Sequence, residues 1–140
     1  MRNQITLIDN LEYFENKGLL FTQINLGELI AKNYVSNPKR FMDEISFDAK
    51  CYLRKLVDTA LEANLTNILF SNIGILLEKD FGLDVPKFFL DYAKDGYEVY
   101  ILKQFSVISN SQIVWQVESS NRINFESGVL HIIGDEDEIF

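Results

Sequence analysis

The pattern of apolar and polar positions divides the chain into short, largely apolar runs and longer stretches in which apolar residues recur at helical spacing. The short runs predict strands, because a strand buried on both faces is nearly continuous in apolar residues. The longer stretches predict helices with one apolar side. Strands are predicted at residues 19–26, 97–102, 112–118 and 128–134, and at the beginning of the stretch 67–77. Helices are predicted at residues 27–35, 47–64 and 86–95.

Capping and turn residues support the ends of several of these elements. Ser46 is the predicted N-cap of the longest helix. Asp84 and Pro86 predict the start of the next helix, and Gly96 is well placed to close it. The pattern of residues 5–16 is compatible with either a short strand or an amphipathic helix.

The order of the predicted elements, in which strands alternate with helices, is typical of an α/β domain with a largely parallel sheet. We therefore expect a single domain over residues 1–134, with a small, mostly parallel sheet flanked by helices. The last two predicted strands, 112–118 and 128–134, can form a C-terminal antiparallel pair at one edge. Residues 135–140 are expected to form an acidic C-terminal tail.

The composition is that of a folded chain. Apolar residues make up 47% and aromatic residues 13% of the 140 residues, which disfavours disorder. The apolar runs are far shorter than the ~20 residues of a membrane-spanning helix, and no signal peptide is predicted. The single cysteine, Cys51, cannot form an internal disulfide, which favours a cytoplasmic location.

The chain is acidic, with a formal net charge of −8. This charge argues against direct binding of nucleic acid, because neutralisation of phosphates supplies most of that affinity. It suits either solubility or a basic protein partner. The acidic tail is either a solvated terminus or a docking segment, in which the charges steer the partner and the terminal Phe anchors it. The residues of this tail that would interact are Asp135, Glu136, Asp137, Glu138 and Phe140.

The sequence contains no motif for nucleotide or metal chemistry. It has neither a glycine-rich P-loop nor a G-x-G-x-x-G after a predicted strand, and both geometries depend on glycine. His131 is the single histidine and Cys51 the single cysteine, and we expect both to be structural, since relays and metal sites need partners. We therefore expect no catalytic residue, no metal and no cofactor.

Polar residues lie at the carboxyl ends of three predicted strands. In a parallel sheet, ligands bind beyond these ends. Asn25, Ser71, Asn72 and Lys103 are therefore the residues that would contact a ligand, if one binds.

Two segments carry a resemblance to a known family: "INLGELIAKNYVSNPKRF", followed by a helix, and "NILFSNIGILLEKDFGLDVPKFFLDYAKDGYEVYIL". In the order and spacing of its elements, the region 19–102 resembles the BrxF-like P-loop proteins of bacterial BREX-3 phage-defence systems. The resemblance places Ser71 where the family has its Walker B aspartate and Gly74 where a following glutamate would lie. Asn72 matches the pattern between them. The Walker A loop has no counterpart, so the resemblance implies a P-loop-NTPase-like but degenerate fold.

Three functions remain open from the sequence. The first is a non-catalytic, pseudo-NTPase-like module that acts through protein–protein interaction in a bacterial phage-defence assembly. The second is an acidic inhibitor or antitoxin-like protein that binds a basic nucleic-acid-binding partner, for which a contiguous acidic face would be the distinguishing feature. The third is a nucleotide binder with an unorthodox site at the strand ends.

Overall fold

Strands and helices alternate along the chain in the computed structural model, which describes residues 4–104, 106–109, 111–114 and 122–133. The strands are β1 (Ile5–Ile8), β2 (Thr22–Asn25), β3 (Asn67–Ser71), β4 (Glu98–Leu102), β5 (Ser106–Ser109), β6 (Gln112–Val114), β7 (Arg122–Asn124) and β8 (Leu130–Ile132). The helices are α1 (Glu12–Lys17), α2 (Leu26–Ser36), α3 (Pro38–Ala60) and α4 (Val85–Lys94), with short 3-10 helices at Ile73–Leu77 and Lys79–Phe81.

The main sheet is parallel throughout the part of the chain that the structure describes. Its strands have the order β2-β3-β4-β1-β8. In this order β1 lies between β4 and β8, and its register places Ile5 opposite both Val99 and Leu130. These side chains are buried, as expected for a sheet that is covered on both faces. The predicted α/β class and the parallel sheet flanked by helices are confirmed.

Helices cover both faces of this sheet. Successive residues of a strand point to opposite faces. Ile68 and Phe70 of β3 belong to the large core beneath α2, α3 and α4, whereas Leu69 belongs to a smaller core on the other face. In that smaller core the ring of Phe14 from α1 contacts the ring of Tyr100, with 4.8 Å between their centroids.

The C-terminal strands pair differently from the predicted arrangement. An antiparallel C-terminal pair is present, but it consists of β5 and β6, and β7 adds to the other side of β6. β8 pairs with β1 in parallel instead of with β6. The polar segment between the two predicted strands contains β7, so it contributes Arg122–Asn124 as the neighbour of β6.

Helix α3 begins earlier than predicted. It starts at Pro38, directly after Asn37. The side-chain oxygen of Asn37 caps the helix by accepting a hydrogen bond from the backbone N–H of Arg40 at 3.1 Å. Proline favours the first turn of a helix because that turn does not need its N–H. The predicted N-cap, Ser46, therefore lies inside the helix, and the break in helical geometry occurs at Asp48 (φ −160°, ψ 90°).

The remaining boundaries agree well with the sequence pattern. Residues 5–16 contain both alternatives, a strand and then a short helix. Asp84 caps α4 by accepting the backbone N–H of Lys87 at 3.2 Å, and Gly96 follows the helix with φ +100°. Among the helices that the structure describes, none combines the length and apolar character needed to span a membrane.

Candidate functional site

The strand order creates one position where a ligand site is expected. The connection after β1 leads to β2 on one side of it, and the connection after β4 leads past β1 to β8 on the other side. Since crossovers between parallel strands are right-handed, connections in opposite directions lie on opposite faces of the sheet. The carboxyl ends of β1 and β4, which are neighbours, therefore form a topological switch point, where open α/β sheets bind their ligands.

An ion pair occupies this switch point. Asp9 follows β1 and Lys103 follows β4, and the Lys103 Nζ lies 3.0 Å from the Asp9 Oδ1. The backbone N–H of Lys103 also donates to the carbonyl of Ile8 at 2.7 Å, which extends the pairing of the two strands. The lysine that the sequence placed at a ligand position is thus paired with a neighbouring carboxylate.

A chain of amide hydrogen bonds joins the ends of β2, β3 and β4. The Asn72 Nδ2 donates to the Asn25 Oδ1 at 2.8 Å, and the same oxygen accepts the backbone N–H of Glu28 at 3.1 Å, which caps α2. The backbone N–H of Asn72 donates to the Gln104 Oε1 at 2.8 Å. Asn25 and Asn72, which were predicted to share this edge, therefore contact each other directly.

Local backbone geometry explains why small and amide residues lie here. Asn72 has a left-handed conformation (φ 53°, ψ 48°), which asparagine tolerates better than most residues. Gly27, in the first turn of α2, approaches it closely: a Cβ at this position would lie 3.2 Å from the Asn72 Cβ. Glycine therefore allows the N-terminus of α2 to pack against the end of β3.

Ser71 and Gly74 lie in different elements, at the end of β3 and beyond it, and neither supplies a carboxylate. Ser71 is the last residue of β3 and is 3% exposed, and its hydroxyl has no hydrogen-bond partner among the described residues. Gly74 lies beyond Asn72, in the 3-10 helix Ile73–Leu77. A buried serine at the end of a central strand can pack and can donate one hydrogen bond, but it carries no charge for a metal ion.

Two open grooves flank the strand ends, and both are lined by side chains of mixed charge. A groove of about 690 Å³ beside Asn25 is lined by Glu28 and Lys32, among other residues. A second groove of about 430 Å³ lies beside Asp9 and α1, where Glu12 and Lys17 contribute the other charges. The carboxylates in each groove disfavour a phosphate group. Within the described ranges, no group of three or more His, Cys, Asp or Glu side chains is arranged to hold a metal ion.

Sequence reasoning missed two residues of this edge, Asp9 and Gln104. Asp9 directly follows β1, a strand that the sequence left undecided, and Gln104 is the second residue after β4, one position beyond Lys103. Interpretation of residues 5–8 as a strand, and attention to the second residue after each strand, would have identified them. Of the two single residues expected to be structural, Cys51 is exposed on α3 and His131 is half-buried on β8, opposite Thr6. The predicted docking tail, from Asp135 to Phe140, lies outside the described residues.

The edge as a whole consists of neutral amides and one ion pair, which connect the ends of four strands. Its hydrogen-bonding groups are largely used within the protein. Comparison of the chain with protein-family models, with curated proteins and with solved structures found no match.

Proposed function

We propose that this chain is a non-catalytic, pseudo-NTPase-like module that acts through protein–protein interaction. One observation carries the proposal: the polar side chains at the switch point bond to one another. Lys103 pairs with Asp9, and Asn72 bonds to both Asn25 and Gln104. A ligand at this edge would have to break these contacts before it gained its own.

The chemistry of phosphoryl transfer supports the same proposal. Catalysis of this kind depends on a backbone cradle for the phosphates, a lysine and a carboxylate-held magnesium ion. Ser71 and Gly74 offer no carboxylate, and the chain between β1 and α1 has no glycine to form a cradle. Lys103 is a cation at the switch point, and its charge is balanced by Asp9.

The surface supports a role in binding another protein. Several large apolar side chains are solvent-exposed, among them Tyr34 (44%), Val35 (75%) and Phe47 (90%). The net charge of −8 favours a basic partner. The resemblance to BrxF-like proteins supports a role in a bacterial phage-defence assembly. The single cysteine supports a cytoplasmic location for the protein.

The inhibitor hypothesis receives less support, because acids and bases are interspersed where the structure describes α3 and α4. Lys50 pairs with Asp91 at 2.7 Å, and Arg54 pairs with Asp95 at 2.7 Å. A protein that imitates the phosphate backbone of DNA needs a contiguous acidic face, and these pairs interrupt it.

Nucleotide titration and co-purification test the two halves of the proposal. In calorimetric titrations with MgATP and MgGTP, we expect no binding tighter than a Kd of about 1 mM. Binding at micromolar Kd that is lost in Asn72→Ala or Lys103→Ala would favour the nucleotide-binder alternative, and release of phosphate above the background rate would contradict the non-catalytic assignment. A tagged chain in its native cells is expected to co-purify with a stoichiometric partner. Elution from the native extract at the 16.2 kDa mass of the lone chain would contradict the interaction role.

A further inference from the structure

An apolar groove lies between α2, the first half of α3 and the two 3-10 helices. It has a volume of about 280 Å³. Its floor is formed by side chains of the large core, Ile30, Phe41 and Phe81, which are 4%, 3% and 8% exposed. Tyr34 and Ile75 form part of the walls, and Tyr34 is 44% exposed. The groove thus opens a part of the core to the surface.

The charged residues that line this groove are both acidic. They are Glu78 and Asp80, on the 3-10 segment that forms one wall. Neither carboxylate takes part in an ion pair with the residues that the structure describes. An apolar floor with unpaired acids beside it is complementary to an apolar side chain flanked by cations.

The walls restrict how a partner can be recognised. The walls are formed by α2, α3 and the 3-10 segment, and none of them offers a strand edge for main-chain pairing. Recognition therefore depends on side chains, as it does when an amphipathic helix lies in a hydrophobic groove. Met42, which also lines the groove, has a flexible side chain that adapts to different apolar anchors.

We propose that this groove binds a basic amphipathic helix of a partner protein. An aliphatic or aromatic side chain of that helix inserts over Phe41 and Phe81, and lysine or arginine residues one turn away pair with Glu78 and Asp80. This assignment rests on the proposed role in protein–protein interaction and names the partner chemistry for it.

The probe for this site is a synthetic amphipathic peptide of about 18 residues, long enough to form a helix in part. It is built from leucine, alanine and lysine, with leucines on one face and lysines beside them. The comparison peptide has glutamate in place of every lysine. Fluorescence anisotropy measures affinity, and amide chemical shifts locate the contact. The basic peptide is expected to bind at least about tenfold more tightly than the acidic one, and less tightly as salt rises from about 50 to about 300 mM.

Two variants with matched controls separate groove binding from general attraction to an acidic protein. Ala31 lines the groove and is exposed on α2, so Ala31→Arg blocks it. Ala63→Arg adds the same charge at an exposed position after α3. The first substitution is expected to weaken peptide binding by at least about tenfold, and the second by less than about twofold.

The acids are tested in the same way. Glu78→Gln combined with Asp80→Asn is expected to weaken binding of the basic peptide by about three- to tenfold and to reduce the salt dependence of that binding. Glu15→Gln combined with Glu62→Gln changes the net charge equally at exposed positions elsewhere, and is expected to leave affinity nearly unchanged.

Three results would overturn the assignment: no binding of the basic peptide, equal effects of Ala31→Arg and Ala63→Arg, or chemical-shift changes confined to residues outside the groove. A change of oligomeric state in Ala31→Arg would show that the groove is covered by a second copy instead. Because nucleotide titration does not involve the groove, failure here leaves the non-catalytic assignment standing, and a nucleotide-binding result would not by itself remove the groove.

Discussion

At the scale of single residues, Ser71 has the least favourable environment described for a polar side chain. Its hydroxyl is buried at the end of β3 without a hydrogen-bond partner among the described residues, while the neighbouring Asn72 makes two hydrogen bonds, one to Asn25 and one to Gln104. Burial of an unpaired hydroxyl costs free energy, of the order of 1–3 kcal/mol. The hydroxyl of Ser71 is therefore expected to contribute nothing to stability.

Removal of this hydroxyl is expected to leave the protein as stable or to stabilise it. Ser71→Ala should raise the free energy of unfolding by 0 to about 1 kcal/mol in urea denaturation, because it removes an unpaired polar atom and little volume. Ser46→Ala, at an exposed helical position, is the control. A loss of more than about 1 kcal/mol in Ser71→Ala alone would show that the hydroxyl is satisfied in solution.

A carboxylate at the same position is expected to be costly and inactive. Ser71→Asp should lower the free energy of unfolding by more than about 2 kcal/mol, since it buries a charge without a partner. It should also leave ATP hydrolysis at the background rate, because no phosphate cradle accompanies the acid. Ser46→Asp serves as the exposed control for stability. ATP turnover by Ser71→Asp above that of the unmodified chain would contradict the absence of a phosphate cradle.

At the scale of elements, α3 consists of two helical halves joined at Asp48. This residue has extended backbone geometry, and its Oδ1 accepts the backbone N–H of Cys51 at 3.0 Å. It therefore acts as the N-cap of the second half. Phe47, just before the break, is 90% exposed, whereas Ala49 just after it is buried. Buried residues on both sides of the break, such as Ile45 and Leu53, belong to the same core, so the apolar side of α3 continues across it.

Loss of this cap is expected to destabilise the protein moderately. Asp48→Ala should lower the free energy of unfolding by about 1 kcal/mol, and Asp48→Asn should retain most of the stability, because asparagine also caps helices. Asp43→Ala, at an exposed position in the first half, should have little effect. Equal losses in Asp43→Ala and Asp48→Ala, measured by urea denaturation, would refute a capping role.

Local signals were sufficient for most helices and for the central strands. The apolar periodicity of α2 and α4 and the cap at Asp84 are encoded within a few residues, so their prediction did not depend on the rest of the chain. The first half of α3 was not predicted, because an Asn-Pro pair is as typical of a helix end as of a helix start; here Asn37 caps the helix that begins at Pro38. β7 was missed because Arg122–Asn124 is polar at both ends and has no clear alternation.

At the scale of the whole molecule, two buried tyrosines make the stability of the fold depend on pH. Burial raises the pKa of Tyr100 to about 12, with Tyr13 beside it contributing further. Burial and the hydrogen bond from its hydroxyl to the Asp58 carboxylate also raise the pKa of Tyr92, although Arg54 over its ring acts in the opposite direction. In both cases the folded protein favours the neutral phenol more than the unfolded chain does.

Stability is therefore expected to fall in alkaline solution. The contribution of a raised tyrosine pKa is fully present below the unfolded value of 10.0 and is lost as the pH rises from there toward about 12. The free energy of unfolding should decline over this window, and Tyr100→Phe should make the decline shallower. Urea denaturation at several pH values measures it, with exposed Tyr34→Phe as the control. A flat profile up to pH 12 would contradict the burial of these phenols.

The sequence by itself determined the α/β class, because strands alternating with helices and nearly continuous apolar runs leave few other ways to bury the apolar surface. It also determined which polar residues follow the strands, and hence that Asn25, Ser71 and Asn72 lie at one edge. These are local properties of the chain.

Only the tertiary structure decided the strand order, and with it the switch point between β1 and β4. The parallel insertion of β8 beside β1 joins residues far apart in sequence, so no local pattern specifies it. The same is true of the Asp9–Lys103 pair and of the groove in which Tyr34 of α2 lies near Glu78 and Asp80 of the 3-10 segment. Each of these depends on how separate elements pack, and packing is a property of the whole chain.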